Sequence, residues 1–356
     1  MKSYYIIPIF VPHEGCPHDC VFCNQGKITG ENKQDVNGPK NKIENSVNRD
    51  FVIKTVEEYL KTINTDSSVI EISFFGGTFT AIDIDKQREL LSVAKDYKEK
   101  GIIDYIRLST RPDYIDDFIL NHLKEHSVDI IELGVQSLDS EVLEKSGRGH
   151  GVEEVERASK LINDYGFILG HQIMIGLPGD SKEKDIYTAK VSIEMKPDIC
   201  RIYPALTIKN TPMEDMYLKN IYKPYTLEEA INICEEIYNL YKKANIKVIR
   251  IGLQPTDNIA EGKDVIAGPF HPAFRELVES KSLNEKIYSI FSKNKGDIVI
   301  RINNRRISKL YAGKKMFFNE LKDKVNSNSL NVILDDNIEL NSVLIDINNE
   351  LYKICI

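Results

Sequence analysis

Over roughly the first 250 positions, apolar residues fall into short runs rich in β-branched side chains, separated by longer stretches in which they recur every three to four residues. Seven runs, at 4–11, 69–75, 105–109, 130–135, 169–175, 199–203 and 247–252, have strand length and read as strands buried on both faces. The stretches at 49–62, 86–99, 115–125, 152–165, 182–195 and 227–244 carry the helical period. Strand and helix in alternation is the pattern of a parallel sheet with right-handed crossovers. The predicted class is therefore α/β, with the units curled into a partial or full parallel (β/α) barrel.

After Gly252 the alternation stops. Residues 254–270 are rich in Gly, Pro and Asp and read as a connection. Beyond them a helix at 273–287, a strand at 297–302, a helix at 308–325 and strands at 330–334 and 342–347 predict a small α+β C-terminal appendage. The chain divides on this reading into a barrel domain, 1–255, and an extension, 256–356, with no internal repeat.

Composition narrows the class. Hydrophobic residues at 42% and charged residues at 28% describe a globular chain and exclude a disordered one. No apolar run approaches membrane-spanning length, and the opening segment reads as a strand and not a signal peptide, so no membrane association and a cytoplasmic location are expected. The formal charge of −7 gives no long-range attraction to nucleic acid, so such a partner needs a local basic patch.

The densest candidate chemistry is Cys16-Pro-His-Asp-Cys20-Val-Phe-Cys23, a C-x3-C-x2-C run in the loop after the first predicted strand. Parallel barrels carry their active sites on such loops. Three thiols are one fewer than a closed structural zinc site or a fully ligated four-iron cluster takes. An iron–sulfur cluster with one open iron fits the set; a zinc site completed by His13 or His18 competes with it. Cys200, Cys234 and Cys355 stand apart and read as ordinary core cysteines, and the expected cytosolic setting argues against disulfides.

The other predicted strand ends add polar and glycine-rich features. The second ends in Phe75-Gly76-Gly77-Thr78, where paired glycines let a ligand approach the main chain, although such pairs are also ordinary turns. The third runs into Ser109-Thr110-Arg111-Pro112-Asp113. The fourth runs into Gln136-Ser137 and then Ser146-Gly147-Arg148-Gly149-His150, where Gln and Arg suit a ligand with hydroxyls and a carboxylate, against the plainer reading of a capping Gln and a solvated Arg. The fifth carries Gln172 into Gly176-Leu177-Pro178-Gly179. His171, Tyr203, Tyr217 and Tyr222 are candidates for substrate contact or hydrogen relay, with core packing as the alternative for each tyrosine.

In this order and at these intervals, the motifs resemble the radical S-adenosylmethionine (radical SAM) domain of the Elongator catalytic-subunit group, over residues 1–255. The resemblance implies a barrel of radical SAM type, a [4Fe–4S] cluster on Cys16, Cys20 and Cys23, and SAM as cofactor. It also implies that Phe10, or its loop neighbour Phe22, flanks adenine or cluster, and that Gly76, Gly77 and Thr78 line the methionyl end of SAM. Ser109 stands where some relatives place a glutamate against SAM. Gln136 and Arg148 match contacts to ribose and carboxylate, and Gln172 stands where the coproporphyrinogen-oxidase branch has an aspartate. Pro204 and Leu206 would contact adenine. No catalytic residue is assigned.

The implied reaction is reductive cleavage of SAM to methionine and a 5′-deoxyadenosyl radical, using an external donor of flavodoxin or ferredoxin type. The substrate is expected to be a tRNA or nucleoside; a small metabolite or cofactor precursor is the alternative, and a non-catalytic cluster-bearing module for RNA or protein a second. About a hundred residues follow the barrel, too few for the acetyltransferase domain of full-length Elongator catalytic subunits, so acetyl-CoA chemistry is not implied. Nor is a second cluster or a cobalamin domain expected upstream.

Between Arg301 and Val325 lie eight basic residues, ending at Lys324, against two acidic ones, with Tyr311, Phe317 and Phe318 interleaved. This is a candidate tRNA-binding surface. The competing reading is a solvated amphipathic helix that buries Leu310, Met316, Phe317 and Leu321.

Overall fold

The structure, a computed structural model, describes residues 2–11, 16, 20–24, 47–253, 259–260, 262–294, 296–325 and 330–356. Its largest element is a seven-stranded sheet of β1 (Ser3–Phe10), β2 (Ser68–Phe75), β3 (Tyr105–Thr110), β4 (Ile130–Gln136), β5 (Ile168–Ile175), β6 (Ile199–Pro204) and β8 (Lys247–Ile251). These pair in that order and all in parallel, with β7 (Thr207–Ile208) outside the sheet. Among the described residues β1 and β8 end the order without pairing, so the sheet is an open, partial barrel. The crossovers contain α1 (Arg49–Leu60), α2 (Ile84–Glu99), α3 (Asp117–Glu125), α4 (Ser140–Lys145), α5 (Val152–Asp164), α6 (Lys182–Glu194), α7 (Pro212–Leu218) and α8 (Leu227–Lys243). No described helix is long and apolar enough to cross a membrane.

Local chemistry fixes the helix starts. Asn48, Asp116, Asp139 and Ser181 each accept a backbone N–H of the first turn, and Thr226 forms a reciprocal capping box with Glu229. A second device recurs at the amino ends of the strands. The carboxylates of Asp104, Asp129 and Asp198, each just before a strand, accept the backbone N–H of Ile70, Ile106 and Leu169 on the preceding strand at 2.8–2.9 Å. Each Asp backbone N–H also donates to the carbonyl of the same residue. These charge-assisted clamps hold register at the amino edge and leave the opposite edge to the loops.

The central strands are buried as expected, but β1 is not. It is an edge strand, and Tyr4, Tyr5 and Ile6 are 49%, 40% and 38% exposed. The Gly/Pro-rich connection also contains an element: β9 (Val265–Ala267) pairs antiparallel with β7 and packs near Leu206, Ile208 and Ile259. A strand of three residues leaves no readable period.

The chain separates into two compact units, Met1–Ala230 with Leu240–Phe270, and Ile231–Asn239 with His271–Ile356. In the second, β10 (Ile298–Ile302), β11 (Leu330–Leu334), β12 (Ser342–Ile347) and β13 (Glu350–Cys355) form a sheet ordered β11-β10-β12-β13. Its strands pack Ile298, Ile300, Ile302, Val343 and Ile345 with residues of α9 (Phe274–Phe291) and α10 (Ile307–Val325).

Helix α10 is broken. Ala312 is extended, and Gly313, Lys314 and Lys315 all adopt left-handed backbone angles, with φ of 60°, 55° and 65°. For the two lysines this costs on the order of 1–2 kcal/mol each. The break shifts the phase of the second half: Phe317, Phe318 and Leu321 are buried, whereas Met316, expected inside, is 40% exposed.

Candidate active site

The cysteine loop leaves β1 at the carboxyl edge of the sheet and is tied to three other strand-end loops. Cys16 is exposed, Cys20 buried and Cys23 half-buried. The Cys16 Sγ lies 3.4 Å from the Thr78 hydroxyl after β2. Cys20 Sγ accepts from Arg148 Nη1 at 3.2 Å, after β4. The Cys23 N–H donates to the Cys20 carbonyl, closing a turn, while the Val21 N–H donates to Ser146 and its carbonyl accepts from Met213. Val21 and Phe22 pack beside Val142, Leu177, Ala205, Met213 and Tyr222. Thus Phe22 is a packing residue here, and Phe10 sits at the end of β1 with its ring 6.1 Å from that of Phe75.

One glycine is needed sterically, and a second leaves room for side-chain ends. Gly76 has φ +99°, and a Cβ there would stand 2.7 Å from the Val11 carbonyl oxygen. No other residue meets both conditions at that crossing of β1 and β2. At Gly134 a Cβ would come within 3.0 Å of Gln136 Nε2 and 3.2 Å of Arg148 Nη2. The missing side chain is the space in which the Arg148 guanidinium lies. That guanidinium donates to the Gly134 carbonyl at 2.6 Å as well as to Cys20, and its Nε donates to His150 Nε2 at 3.3 Å. Burial, then the neighbouring Arg148 charge, lowers the His150 pKa to about 4, so near pH 7 the ring is neutral and able to accept. Arg111, bidentate to Asp113, donates to the Arg148 carbonyl at 2.6 Å and fixes this segment. Gln136 ends β4 with φ +65°, next to a register shift between Gly134 and Gln136.

Below this edge the inward face of the sheet is polar. Arg107 on β3 pairs with Glu71 on β2 at 2.8 Å and with Glu132 on β4 at 2.6 Å, and Arg201 on β6 reaches Glu132 at 3.0 Å. Tyr4 and Ser73 donate to Glu71. Gln172 Nε2 donates to both Glu132 and Ser109, and Arg201 donates to the Tyr203 hydroxyl while its guanidinium lies over the Phe75 ring. Burial alone would push the Glu132 carboxyl up; the Arg201 and Arg107 charges outweigh it and hold it below its ordinary value. Gly170, opposite Glu132, has no Cβ because one would stand 2.7 Å from Glu132 Cγ. Ser109 and Gln172, candidates from the sequence, are thus the upper, half-buried rim of a network anchored on Glu132.

Glu71, Arg107, Glu132 and Arg201 were not among the sequence candidates. A signal existed: each is a lone charge between apolar neighbours in a buried strand, and along β2, β3, β4 and β6 the signs read minus, plus, minus, plus. Only a parallel sheet makes those charges neighbours.

The remaining sequence candidates among the described residues have partners of their own, and Tyr217 and Tyr222 share the cluster on which Val21 and Phe22 of the cysteine loop pack. His171 faces outward, bonded to Ser159 and Ser192, with Tyr241 donating to Ser192. Burial lowers its pKa to about 3. Tyr222 donates to the Gly176 carbonyl in the Gly-Leu-Pro-Gly turn, and Tyr217 packs beside it. Pro204 ends β6 inside the fold, and Leu206 is engaged with Ile208 and Ile259. His13 and His18 lie outside the described residues.

Among the described residues no three His, Cys, Asp or Glu side chains gather closely enough to hold a single metal ion. A four-iron cluster places each thiolate on a different iron, and the donor chemistry suits it: three sulfurs on one fastened loop, with a guanidinium against Cys20.

Residues 10–190 match the model of the radical SAM superfamily, and 197–283 that of the radical SAM C-terminal domain. The chain belongs to the radical SAM superfamily. Members bind a [4Fe–4S] cluster and SAM. Over the radical SAM region the chain is homologous to a tRNA uridine(34) acetyltransferase of Methanocaldococcus jannaschii, 32% identical across 64% of this chain and 47% of that protein. It is also homologous to human Elongator complex protein 3, 28% identical across 51% of this chain and 37% of that one. The chain therefore spans about half, or less, of these relatives. The fold is similar to that of the N-terminally deleted Elp3 of Methanocaldococcus infernus, with a TM-score of 0.60 at 23% identity, covering 82% of this chain and 63% of that one.

Proposed function

We propose that this chain holds a [4Fe–4S] cluster on Cys16, Cys20 and Cys23, binds SAM at the open iron and acts on a tRNA. The cluster, when bound, supplies the electron that cleaves SAM to methionine and a 5′-deoxyadenosyl radical, drawn from an external flavodoxin- or ferredoxin-type donor. The observation that carries the proposal is the fastening of the three-thiol loop to Thr78 and Arg148, beside the strand end at Gly76, where glycine is sterically required.

The protein's own groups then have separable tasks. Gly76, Gly77 and Thr78 offer main chain to the methionyl end of SAM. Arg148 provides a fixed positive charge near the cysteine loop, held in place by Gly134, by neutral His150 and by Arg111. Gln136, Ser109 and Gln172 offer uncharged hydrogen-bonding groups for ribose. Phe10 and Phe75 exclude water from that edge. The tRNA assignment is supported by the homology to tRNA uridine(34) acetyltransferase and Elongator sequences over the radical SAM region.

The test is anaerobic reconstitution with iron and sulfide, dithionite reduction with SAM, and chromatographic detection of 5′-deoxyadenosine. Wild type should form it and Cys20→Ala should not. Equal amounts from both proteins would refute the ligand assignment.

A further inference from the structure

Helix α10 is interrupted by a left-handed turn that the second unit builds on purpose-shaped partners. The break frees the Leu310 carbonyl, which an unbroken helix would give to the Lys314 N–H. Two buried side chains of α9 take it instead: Ser280 Oγ donates at 3.2 Å and Asn284 Nδ2 at 3.1 Å. One turn earlier on the same face of α9, Leu277 stands so close to Gly313 that a Cβ would come within 2.7 Å of it. Glycine suits this position in both angle and space.

The next two positions are different. Lys314 and Lys315 keep left-handed angles that glycine or asparagine would adopt more easily, and both side chains are exposed, so no packing requires lysine. Lys315 Nζ lies over the Tyr311 ring at 4.4 Å, and Tyr311 meets Phe318 edge-on. Elsewhere in the segment, Lys309 and Lys324 are neutralised by Glu279 and Glu285. Arg301, Arg305, Arg306, Lys314 and Lys322 pair with no acid among the described residues. In a chain of net charge −7, this is a local excess of unpaired cations.

We infer that the left-handed turn of α10 is a phosphate-binding surface for RNA, with Lys314 and Lys315 as its contacts and Arg305 and Arg306, at the start of the same helical segment, extending it along a backbone. Strain retained at two exposed residues, of which Lys315 touches only the Tyr311 ring, is explained by what those residues bind. Phosphate is the ligand because several separate point charges track a repeated anion, whereas no described feature of the turn reads bases. The inference rests on the tRNA reading above.

The experiment is fluorescence anisotropy of a labelled tRNA transcript with the full chain, over a salt series, together with thermal unfolding. The variants are Lys314→Gly/Lys315→Gly and, as a control for lost charge outside the basic segment, Lys353→Ala, whose ammonium pairs with Glu339. The double variant should bind about ten-fold more weakly, lower the slope of log K against log salt by about two, and melt several degrees higher because glycine relieves the strain. The control should change binding less than about two-fold. If wild type binds tRNA and the double variant binds equally well, the surface is wrong and the tRNA reading stands. If wild type does not bind tRNA at all, both fall.

Discussion

Adjacent residues of β5, His171 and Gln172, enter two buried polar networks that differ in kind. On the outward face His171, Ser159, Ser192 and Tyr241 satisfy one another with nothing left open, and the imidazole is kept neutral. On the inward face Gln172 joins Glu132, Ser109, Arg107, Arg201 and Glu71, where charges balance at the floor but Ser109, Gln172, Tyr203 and Phe75 remain half-exposed at the rim below the cysteine loop. A closed network holds helices to a sheet. A network with an open rim positions groups toward a ligand.

The largest effect should come from Glu132→Gln. It leaves Arg107 and Arg201 short of a partner in a dry interior, and should lower unfolding stability by about 3–5 kcal/mol, read from denaturant midpoints. A loss below about 1 kcal/mol would show the floor to be solvated and the contrast drawn here false. Next, Gly134→Ala should displace Arg148 from Cys20 and raise the SAM concentration for half-maximal 5′-deoxyadenosine formation about ten-fold, roughly 1.4 kcal/mol, with little change in melting temperature. An unchanged SAM dependence would detach Arg148 from the cofactor.

The outward network makes a pH prediction of definite sign. The folded-state pKa of His171, about 3, lies below the ordinary value of 6.5, so the unfolded chain takes up a proton that the folded one refuses. Stability from this group is present above about pH 6.5 and is lost progressively as pH falls toward 3. His171→Phe should start lower at pH 7, by roughly 1–3 kcal/mol for the orphaned hydroxyls, but lose less between pH 6.5 and 4. Its SAM dependence should not move. Smallest of all, Ser109→Ala should cost under about 1 kcal/mol of stability yet weaken SAM a few-fold, because the rim and not the floor is changed.

The fold was legible wherever burial wrote a period into the residues. All seven strands of the large sheet lie within about two residues of their expected positions, since a strand such as Ile130–Gln136 is apolar almost throughout. The loop-end glycines and the three thiols were legible as motifs. The floor of the site was not, because Glu71 or Arg201 in isolation is an anomaly within an apolar run, and its partner lies on another strand dozens of positions away. The break in α10 was hidden for a related reason: Tyr311-Ala312-Gly313-Lys314-Lys315 has helix-forming neighbours, and only Leu277, Ser280 and Asn284 on α9 make the left-handed turn the better solution. Strand β13 escaped because Glu350–Cys355 buries only Ile354 fully.

The central claim is that Cys16, Cys20 and Cys23 hold a cluster whose fourth iron is open to SAM. Electron paramagnetic resonance of the anaerobically reconstituted, reduced protein with and without SAM tests it most directly. The account predicts a reduced [4Fe–4S] signal whose shape changes on adding SAM and which is absent in Cys20→Ala. A protein that retains zinc in place of iron, or a cluster signal indifferent to SAM, would contradict it.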